Sequence, residues 1–170
     1  MSQVSTEFIP ARIVILTVSG HRTQDNDTSG HYLRDAAIEA GHEVLENVIT
    51  KENLYRIRAC VSQWIADESV QVVLINGGTG FTENDQVPEA LQPLFDRDIA
   101  GFGELFRMLS YEDIGTSTLQ SRAIAGMANR TLIFAMPGST NACRTAWENI
   151  IMQQLDARQR PCNFHPHIKN

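Results

Sequence analysis

Four short runs of apolar and β-branched residues recur along the chain. Between them lie longer stretches in which apolar positions return every three or four residues. The first run, Arg12-Ile13-Val14-Ile15-Leu16-Thr17-Val18, reads as a buried strand. Ser19 to Asp27 is polar and turn-rich, and Ser29-Gly30 opens a helix with Leu33, Ala36, Ala37 and Ala40 on one face. Gly41 closes that helix. Glu43 to Ile49 predicts a second strand. Thr50 stands where it can cap the next helix, with Asn53 three residues on, and Leu54, Ile57, Val61, Trp64 and Ile65 recur at helical spacing. Val70 to Ile75 predicts a third strand, which ends in Asn76-Gly77-Gly78-Thr79-Gly80. A short helix follows over Pro88 to Phe95, and Gly101 to Leu109 reads as a loop entering another helix. Arg130 to Met136 predicts a fourth strand. Pro137-Gly138-Ser139-Thr140 then leads into a long helix ending near Leu155, and Ala157 to Asn170 reads as a flexible, polar, proline-containing tail.

Strands alternating with helices of this length predict an α/β fold, a three-layer, doubly wound, mostly parallel sheet. One domain spanning 1–170, with terminal arms at 1–10 and 157–170, is the simplest organisation, since there are no repeats and no low-complexity linker. An apolar share of 42% excludes a disordered chain. A net charge of −6 lacks the basic face that nucleic acid requires. No apolar run approaches the ~18 residues that span a bilayer, and Met1 to Glu7 lacks the features of a signal peptide. Cys60, Cys143 and Cys162 are odd in number and far apart, with no CxxC pair. That usage fits a reducing cytoplasm.

Three loops follow strands directly: Ser19–Gly30, Gly77–Asp85 and Pro137–Thr140. In a doubly wound sheet they emerge together at the carboxyl edge, where such folds bind ligands. Three glycines after a β-branched strand bring backbone close to another group, because glycine takes positive φ and leaves no side chain in the way. Gly77, Gly78 and Gly80 offer N–H groups, and Thr79, Ser139 and Thr140 offer hydroxyls. Ser139-Thr140 also opens a helix, whose dipole favours an anion. Asp27 and Asp85 are carboxylates suited to Mg²⁺, which takes few carboxylates together with phosphate oxygens.

Two readings stand for each of these elements. The glycine stretch is a phosphate cradle or a tight turn beside a capping Asp. Asp27 is a metal ligand or the cap of the helix at Ser29-Gly30. Pro137-Gly138-Ser139 is a ligand wall or a strand-to-helix turn. Neither a Walker A sequence nor GxGxxG occurs. His165 and His167 define no metal geometry on a terminal tail. His21, His31 and His42 pair with no serine or cysteine nucleophile, so a hydrolase triad is not supported.

In this order, Asp27-Thr28-Ser29-Gly30, Gly77-Gly78-Thr79-Gly80 with Asp85, Gly101-Phe102-Gly103-Glu104, Ser121-Arg122 and Pro137-Gly138-Ser139 resemble the MoaB/Mog family of molybdopterin-binding domains. The resemblance covers essentially the whole chain. Ile9-Pro10-Ala11-Arg12 and Pro161-Cys162-Asn163-Phe164-His165-Pro166-His167 are similar to its bacterial MoaB branch. It implies an α/β fold that forms trimers, or hexamers built from trimers, and works with other molybdenum-cofactor biosynthesis proteins. It implies binding of molybdopterin, a pterin dithiolene carrying a terminal phosphate. In active members it implies Mg-ATP-dependent adenylylation of that phosphate, with Asp85 as the catalytic and magnesium-holding acid. The expected ligand-site residues are Ser19, Asp27, Ser29, Gly30, Gly77, Gly78, Thr79, Gly80, Pro137, Gly138 and Ser139.

One departure bears on activity. The resemblance implies a second aspartate in a Pro-Asp-Glu-type sequence at the start of the helix after strand two. The matching segment here is Thr50-Lys51-Glu52-Asn53, with Lys51 at that position. An ammonium has no acceptor and repels a cation. Glu52 next door points about 100° away on a helix. The expectation is a pterin-phosphate-binding protein with weak or no adenylyl transfer. A competent molybdopterin adenylyltransferase using Asp85 and Glu52, and a non-catalytic scaffold, are the competing readings. An oligomer is expected from the apolar stripe Phe102-Leu105-Phe106-Leu109.

Overall fold

The run that reads as the first strand is β1 (Arg12–Val18), whose residues Ile13 to Val18 are all buried. Such burial requires helices on both sides and a strand on each edge. β1 lies between β2 (Glu43–Thr50) and β3 (Val72–Asn76), both parallel to it. A computed structural model describes residues 5–170 and shows one six-stranded sheet in the order β2-β1-β3-β6-β5-β4. Residues 1–4 of the N-terminal arm lie outside the described residues. β6 (Thr131–Met136) runs parallel to β3, whereas β5 (Ile124–Ala128) is antiparallel to β6, and β4 (Arg97–Asp98) is antiparallel to β5.

The two-residue period of the strands divides the core in two. Ile13, Ile15, Leu74, Leu132 and Phe134 point to the face covered by α1 (Thr28–Glu39), α4 (Ala100–Ile114) and the C-terminal helix. Val14, Leu16, Val73, Ile75 and Ile133 point to the face covered by α2 (Leu54–Ala66) and α3 (Val87–Leu91). The C-terminal helix begins as α5 (Thr140–Ala146), widens into a π turn over Trp147–Ile151, and ends as α6 (Met152–Leu155). The chain leaves β1 for β2 on one side, and β3 lies on the other. The ends of β1 and β3 therefore flank the switch point, where doubly wound sheets open a crevice.

Several expectations need correction. Thr50 ends β2, and Asn53 caps α2 instead, its Oδ1 accepting from Arg56 N at 3.0 Å. β4 and β5 carry no strand signature, because β4 is two charged residues and β5 is Ile-Ala-Gly-Met-Ala. Small residues are required in β5: a Cβ on Gly126 would lie 2.4 Å from ring atoms of Phe95.

The C-terminal tail is packed, not loose. Ile168 is buried, Lys169 N donates to Arg130 O at 3.1 Å, and Gln71 Nε2 donates to Lys169 O at 2.7 Å. The Lys169 ammonium donates to the carbonyls of Ile65 and Asp67, closing the end of α2. The stripe on α4 splits: Phe102 and Phe106 face the protein's own core, and the exposed apolar residues are Leu105, Met108, Tyr111 and Ile114.

Candidate functional site

All three loops meet at the carboxyl edge of the sheet, held by buried polar groups. Asn76 Nδ2, at the end of β3, donates to Thr17 Oγ1 of β1 at 2.9 Å. Thr17 Oγ1 donates to Asp27 Oδ2 at 2.6 Å, and Asp27 Oδ1 accepts from Gly30 N at 2.9 Å. This chain of bonds fixes the start of α1 over the crevice. Asp27 is fully buried with a hydrogen bond to each oxygen, so it caps α1 and is not presented to a cation at the surface. Gly30 is a glycine because a Cβ there would sit 2.1 Å from Asp27 Oδ2.

The second contact is between the β1 and β6 loops. Ser29 Oγ donates to Gly138 O at 2.7 Å and lies 3.2 Å from Thr140 Oγ1. Gly138 in turn stacks on the glycine loop, since a Cβ on it would meet Gly77 Cα at 3.1 Å. Ser139 caps α5, its Oγ accepting from Ala142 N at 3.1 Å. Ser19 Oγ accepts from His21 N and Arg22 N, and so shapes its own turn.

The glycine loop itself is stapled from behind. Gly77 and Gly78 both have positive φ, at 91° and 68°, a conformation in which a side chain is strained. A Cβ on Gly77 would lie 2.3 Å from Val18 O, and one on Gly78 would lie 2.7 Å from Val87 Cγ2. The space beside Gly78 is therefore filled by the protein and is not left open for a ligand. Thr79 is buried, and its carbonyl accepts from Arg122 N at 2.9 Å.

Asp85 closes the loop on itself. Its Oδ2 accepts from Thr82 N at 2.8 Å and Thr82 Oγ1 at 2.7 Å. Partial burial pushes the Asp85 carboxyl up. The hydrogen bonds from Thr82 and Gly80 and the nearby Arg122 charge outweigh that and hold it below its usual range. Among the described residues the carboxylate makes no ion pair, although the Arg122 charge lies near it.

Comparison with known proteins decides which family the chain belongs to. Residues 4–157 match the family model described as "Probable molybdopterin binding domain". The chain is 75% identical over 169 residues to molybdenum cofactor biosynthesis protein B of Escherichia coli, covering 99% of each. The chain belongs to this molybdenum cofactor biosynthesis family. It is also 46% identical to the protein of that name from Bacillus cereus over 145 residues, 85% of this chain and 86% of the other. Its fold superposes on a crystal structure of molybdenum cofactor biosynthesis protein B with a TM-score of 0.84. That pair shares 45% identity, over 86% of this chain and 92% of that one. A tungsten cofactor synthesizing protein MoaB from Pyrococcus furiosus gives a TM-score of 0.74 at 31% identity, covering 83% and 90%.

Within this molybdopterin-binding domain, the residue that sequence reasoning left out of the site is Arg122. Its guanidinium donates to Gly80 O at 2.8 Å, to Asp85 O at 2.5 Å and to the Glu89 carboxylate, and it lies over the Phe81 ring at 5.3 Å. The Ser121-Arg122 pair was visible as part of the family resemblance. No local feature of the sequence tied it to Gly80 of the glycine loop, 42 positions earlier. Thr17 and Asn76 were likewise hidden inside strand runs.

The Lys51 side of the edge is open. Ser19, Gly20, Arg22, Thr23, Asn47 and Lys51, with Val48 and Ile49, line an open cleft of about 530 Å³. Lys51 is exposed there, whereas Glu52 is half-buried and turned toward the β1 loop: a Cβ on Gly20 would meet Glu52 Oε2 at 2.8 Å. Gln86 Oε1 accepts from Leu54 N at 3.2 Å, which joins this segment to the end of the glycine loop.

The residues present fit a magnesium ion held largely by its substrates. No group of three or more His, Cys, Asp or Glu side chains converges among the described residues, so the protein builds no closed cage. Mg²⁺ is commonly held by one or two carboxylates together with phosphate oxygens and waters, and Asp85 beside the glycine loop suits that role. Among the described residues no helix is long and apolar enough to cross a membrane.

Proposed function

We propose that this chain binds molybdopterin by its terminal phosphate at the Gly77–Asp85 loop, and that it transfers adenylyl groups weakly or not at all. The observation that carries the reading is the position of Asp85, an unpaired carboxylate on a rigid glycine loop at the switch point of the sheet. Gly77, Gly78, Thr79 and Gly80 would present backbone to the phosphate, with Pro137, Gly138 and Ser139 as the opposite wall. Ser19, Asp27, Ser29 and Gly30 shape the crevice from the β1 side. Asp85 would hold Mg²⁺ together with phosphate oxygens, and the ion would neutralise the charge of the phosphate groups.

In adenylyl transfer, a molybdopterin phosphate oxygen attacks the α-phosphorus of ATP and pyrophosphate leaves. Catalysis of this kind is placement and charge neutralisation. The exposed ammonium of Lys51 opposes a second magnesium-holding acid on the β2 side, which supports low transfer. Glu52 is the specific observation that favours the second reading, a competent adenylyltransferase, because its carboxylate already turns toward the β1 loop. We assign the protein to the cytoplasm and to a homo-oligomer, a trimer or hexamer, acting beside other cofactor-assembly proteins.

The test is incubation with molybdopterin and Mg-ATP, following adenylylated product and calorimetric binding of each ligand. Molybdopterin binding with little product is the expected result. Asp85→Asn should retain the fold and weaken Mg-ATP binding. No molybdopterin binding by the parent would sink the reading and leave the scaffold.

A further inference from the structure

The N-terminal arm lies at the amino edge of the sheet, opposite the candidate site, and few contacts hold it there. Ser5 N donates to Ala157 O of the tail at 3.1 Å. Phe8 is half-buried: its ring lies 5.2 Å from that of His42, and the Arg158 guanidinium lies over it at 5.3 Å. Thr6, Glu7, Ile9 and Pro10 are exposed. The arm enters β1 through Ala11, whose N donates to His42 Nδ1 at 3.0 Å. His42 is buried just ahead of β2, with the Trp147 ring edge-on to it at 6.1 Å.

A second imidazole meets the arm from the tail. His165 is half-buried beside the Ile9 backbone, its N donates to Asn163 Oδ1 at 2.9 Å, and its Nε2 is shielded from solvent with no hydrogen-bond partner among the described residues. Neither ring has a place for a further proton. His42 Nδ1 accepts, so the neutral ring carries its hydrogen on Nε2, and the next proton has only Nδ1 to take, against the Ala11 N–H. On His165 Nε2 a proton would find no acceptor. The carboxylate near both rings is Asp156, and Arg158 already occupies it, with Nε at 2.9 Å and Nη2 at 2.8 Å. That bond holds the Asp156 carboxyl below its usual range, so it stays ionised as the histidines titrate. Phe8 and Ile9 of the arm and Trp147 of the C-terminal helix bring no charge. Burial pushes both histidines down. The His165 charge adds to this at His42, Asp156 opposes it at both, and the Ile9 backbone opposes it at His165.

We propose that residues 5–10 are an acid-released strap: when His42 and His165 take up protons, the arm leaves the tail while the sheet and the carboxyl-edge site stay folded. A protonated His42 ring must turn from Ala11 toward water, which displaces Phe8. Once the arm is off, both rings meet water and bind protons at their ordinary value, so acid favours release. In the closed strap His42 is held at about 4 against 6.5. The strap is therefore fully closed above 6.5 and weakens as the pH falls toward 4. His42 alone raises the ratio of released to closed arm on the order of 50-fold between pH 7 and pH 4.5, and His165 adds to it. The arm yields first because Phe8 is its one half-buried large side chain, whereas β3 and β6 are buried at every position. The device is independent of what binds at the glycine loop.

Hydrogen exchange of the full chain, read by mass spectrometry at pH 7 and pH 4.5 and corrected for the intrinsic rate at each pH, decides it. In the parent, the N-terminal peptide through Ala11 should lose protection about 50-fold or more in acid, while peptides covering 72–85 keep theirs. The double variant His42→Gln, His165→Gln should keep the arm protected at both pH values, since the Gln oxygen at position 42 is able to accept from Ala11 and neither side chain titrates. Phe8→Ala should lose arm protection already at pH 7, with 72–85 unchanged. Equal arm protection in the parent at the two pH values would overturn the strap, as would an acid loss that the double variant shares. A loss spread evenly over the arm and 72–85 would mean global acid unfolding and would overturn it too. If the double variant does not fold, His165→Gln alone decides: its arm protection should fall less steeply with pH than the parent's, and an identical slope would overturn the proposal.

Discussion

Arg122 is tied to Asp85 through the backbone and not through an ion pair. Its guanidinium donates to the Asp85 carbonyl at 2.5 Å, while the Asp85 carboxylate turns to Thr82. The cation thus fixes the loop through its carbonyls and leaves the Asp85 carboxylate outside an ion pair, while its charge helps to hold that carboxyl ionised. Lysine cannot reproduce this, since it lacks the planar fork that reaches Gly80 O, Asp85 O and Glu89 together. Arg122→Lys should therefore weaken molybdopterin binding about tenfold and lower stability by about 1–2 kcal/mol, on the order of one or two net hydrogen bonds. Calorimetry and thermal melts are the measurements. Unchanged affinity would show that the loop keeps its shape without the clamp.

Gly78→Val should abolish ligand binding through the protein side of the loop. At a φ of 68°, with Val87 Cγ2 2.7 Å from the new Cβ, the valine forces the loop to move. Loss of stability by about 1–3 kcal/mol should accompany the loss of binding, as strain of this kind requires. Full stability combined with lost binding would instead mean that the residue faces the ligand.

Lys51→Asp should recover part of the adenylyl transfer. The change removes an exposed cation beside the cavity next to Ser19 and Gly20 and supplies an acceptor for Mg²⁺. Product formation from molybdopterin and Mg-ATP, measured for parent and variant side by side, decides it. A variant that stays inert while binding both ligands normally would sink the idea, as would a parent that is already fast. If Glu52 is the working acid, Glu52→Gln should remove whatever activity the parent has.

Stability should fall in mild acid because of His42. This side chain is buried, its Nδ1 accepts from Ala11 N at 3.0 Å, and the rings of Phe8 and Trp147 lie against it. Burial, with a smaller effect of His165, lowers its pKa from 6.5 to about 4, against the opposing pull of Asp156. A proton on Nδ1 would also destroy the acceptor for Ala11. Between those two values the unfolded chain binds more protons, so stability decreases as pH drops through the window. The full shift corresponds to roughly 3 kcal/mol. Urea unfolding at pH 7 and pH 4.5 should show most of that loss, and His42→Gln should show a shallower slope. Equal midpoints for the parent at the two pH values would remove His42 as the cause.

The proposed oligomer should bury the exposed apolar residues at the end of α4. Met108, Tyr111 and Ile114 are 62%, 56% and 51% exposed, and Leu119 just beyond is 76% exposed, a cluster larger than scattered surface residues. Met108→Glu should shift sedimentation toward the monomer. A 19 kDa particle from the parent at micromolar concentration would rule out the assembly.

The parallel core was determined by the sequence alone. β1, β3 and β6 are buried on both faces, so their apolar runs are continuous and unmistakable. The glycine loop was equally plain, because only a chemical requirement for positive φ or close approach places three glycines after such a strand. β4 and β5 were not legible, since two charged residues and a run containing Ala, Gly and Ala owe their places to pairing with β6 and with each other and not to their own propensity. The packed tail was hidden for the same reason: Ile168 and Lys169 are held by partners more than 35 positions away. Asp27 shows the division most clearly. Its sequence allowed a helix cap or a metal ligand. Only the approach of Thr17 and Gly30 settled the choice, by using both oxygens and burying the carboxylate. Residue type determines which bonds a group is able to make, and the three-dimensional neighbours decide which of them are made.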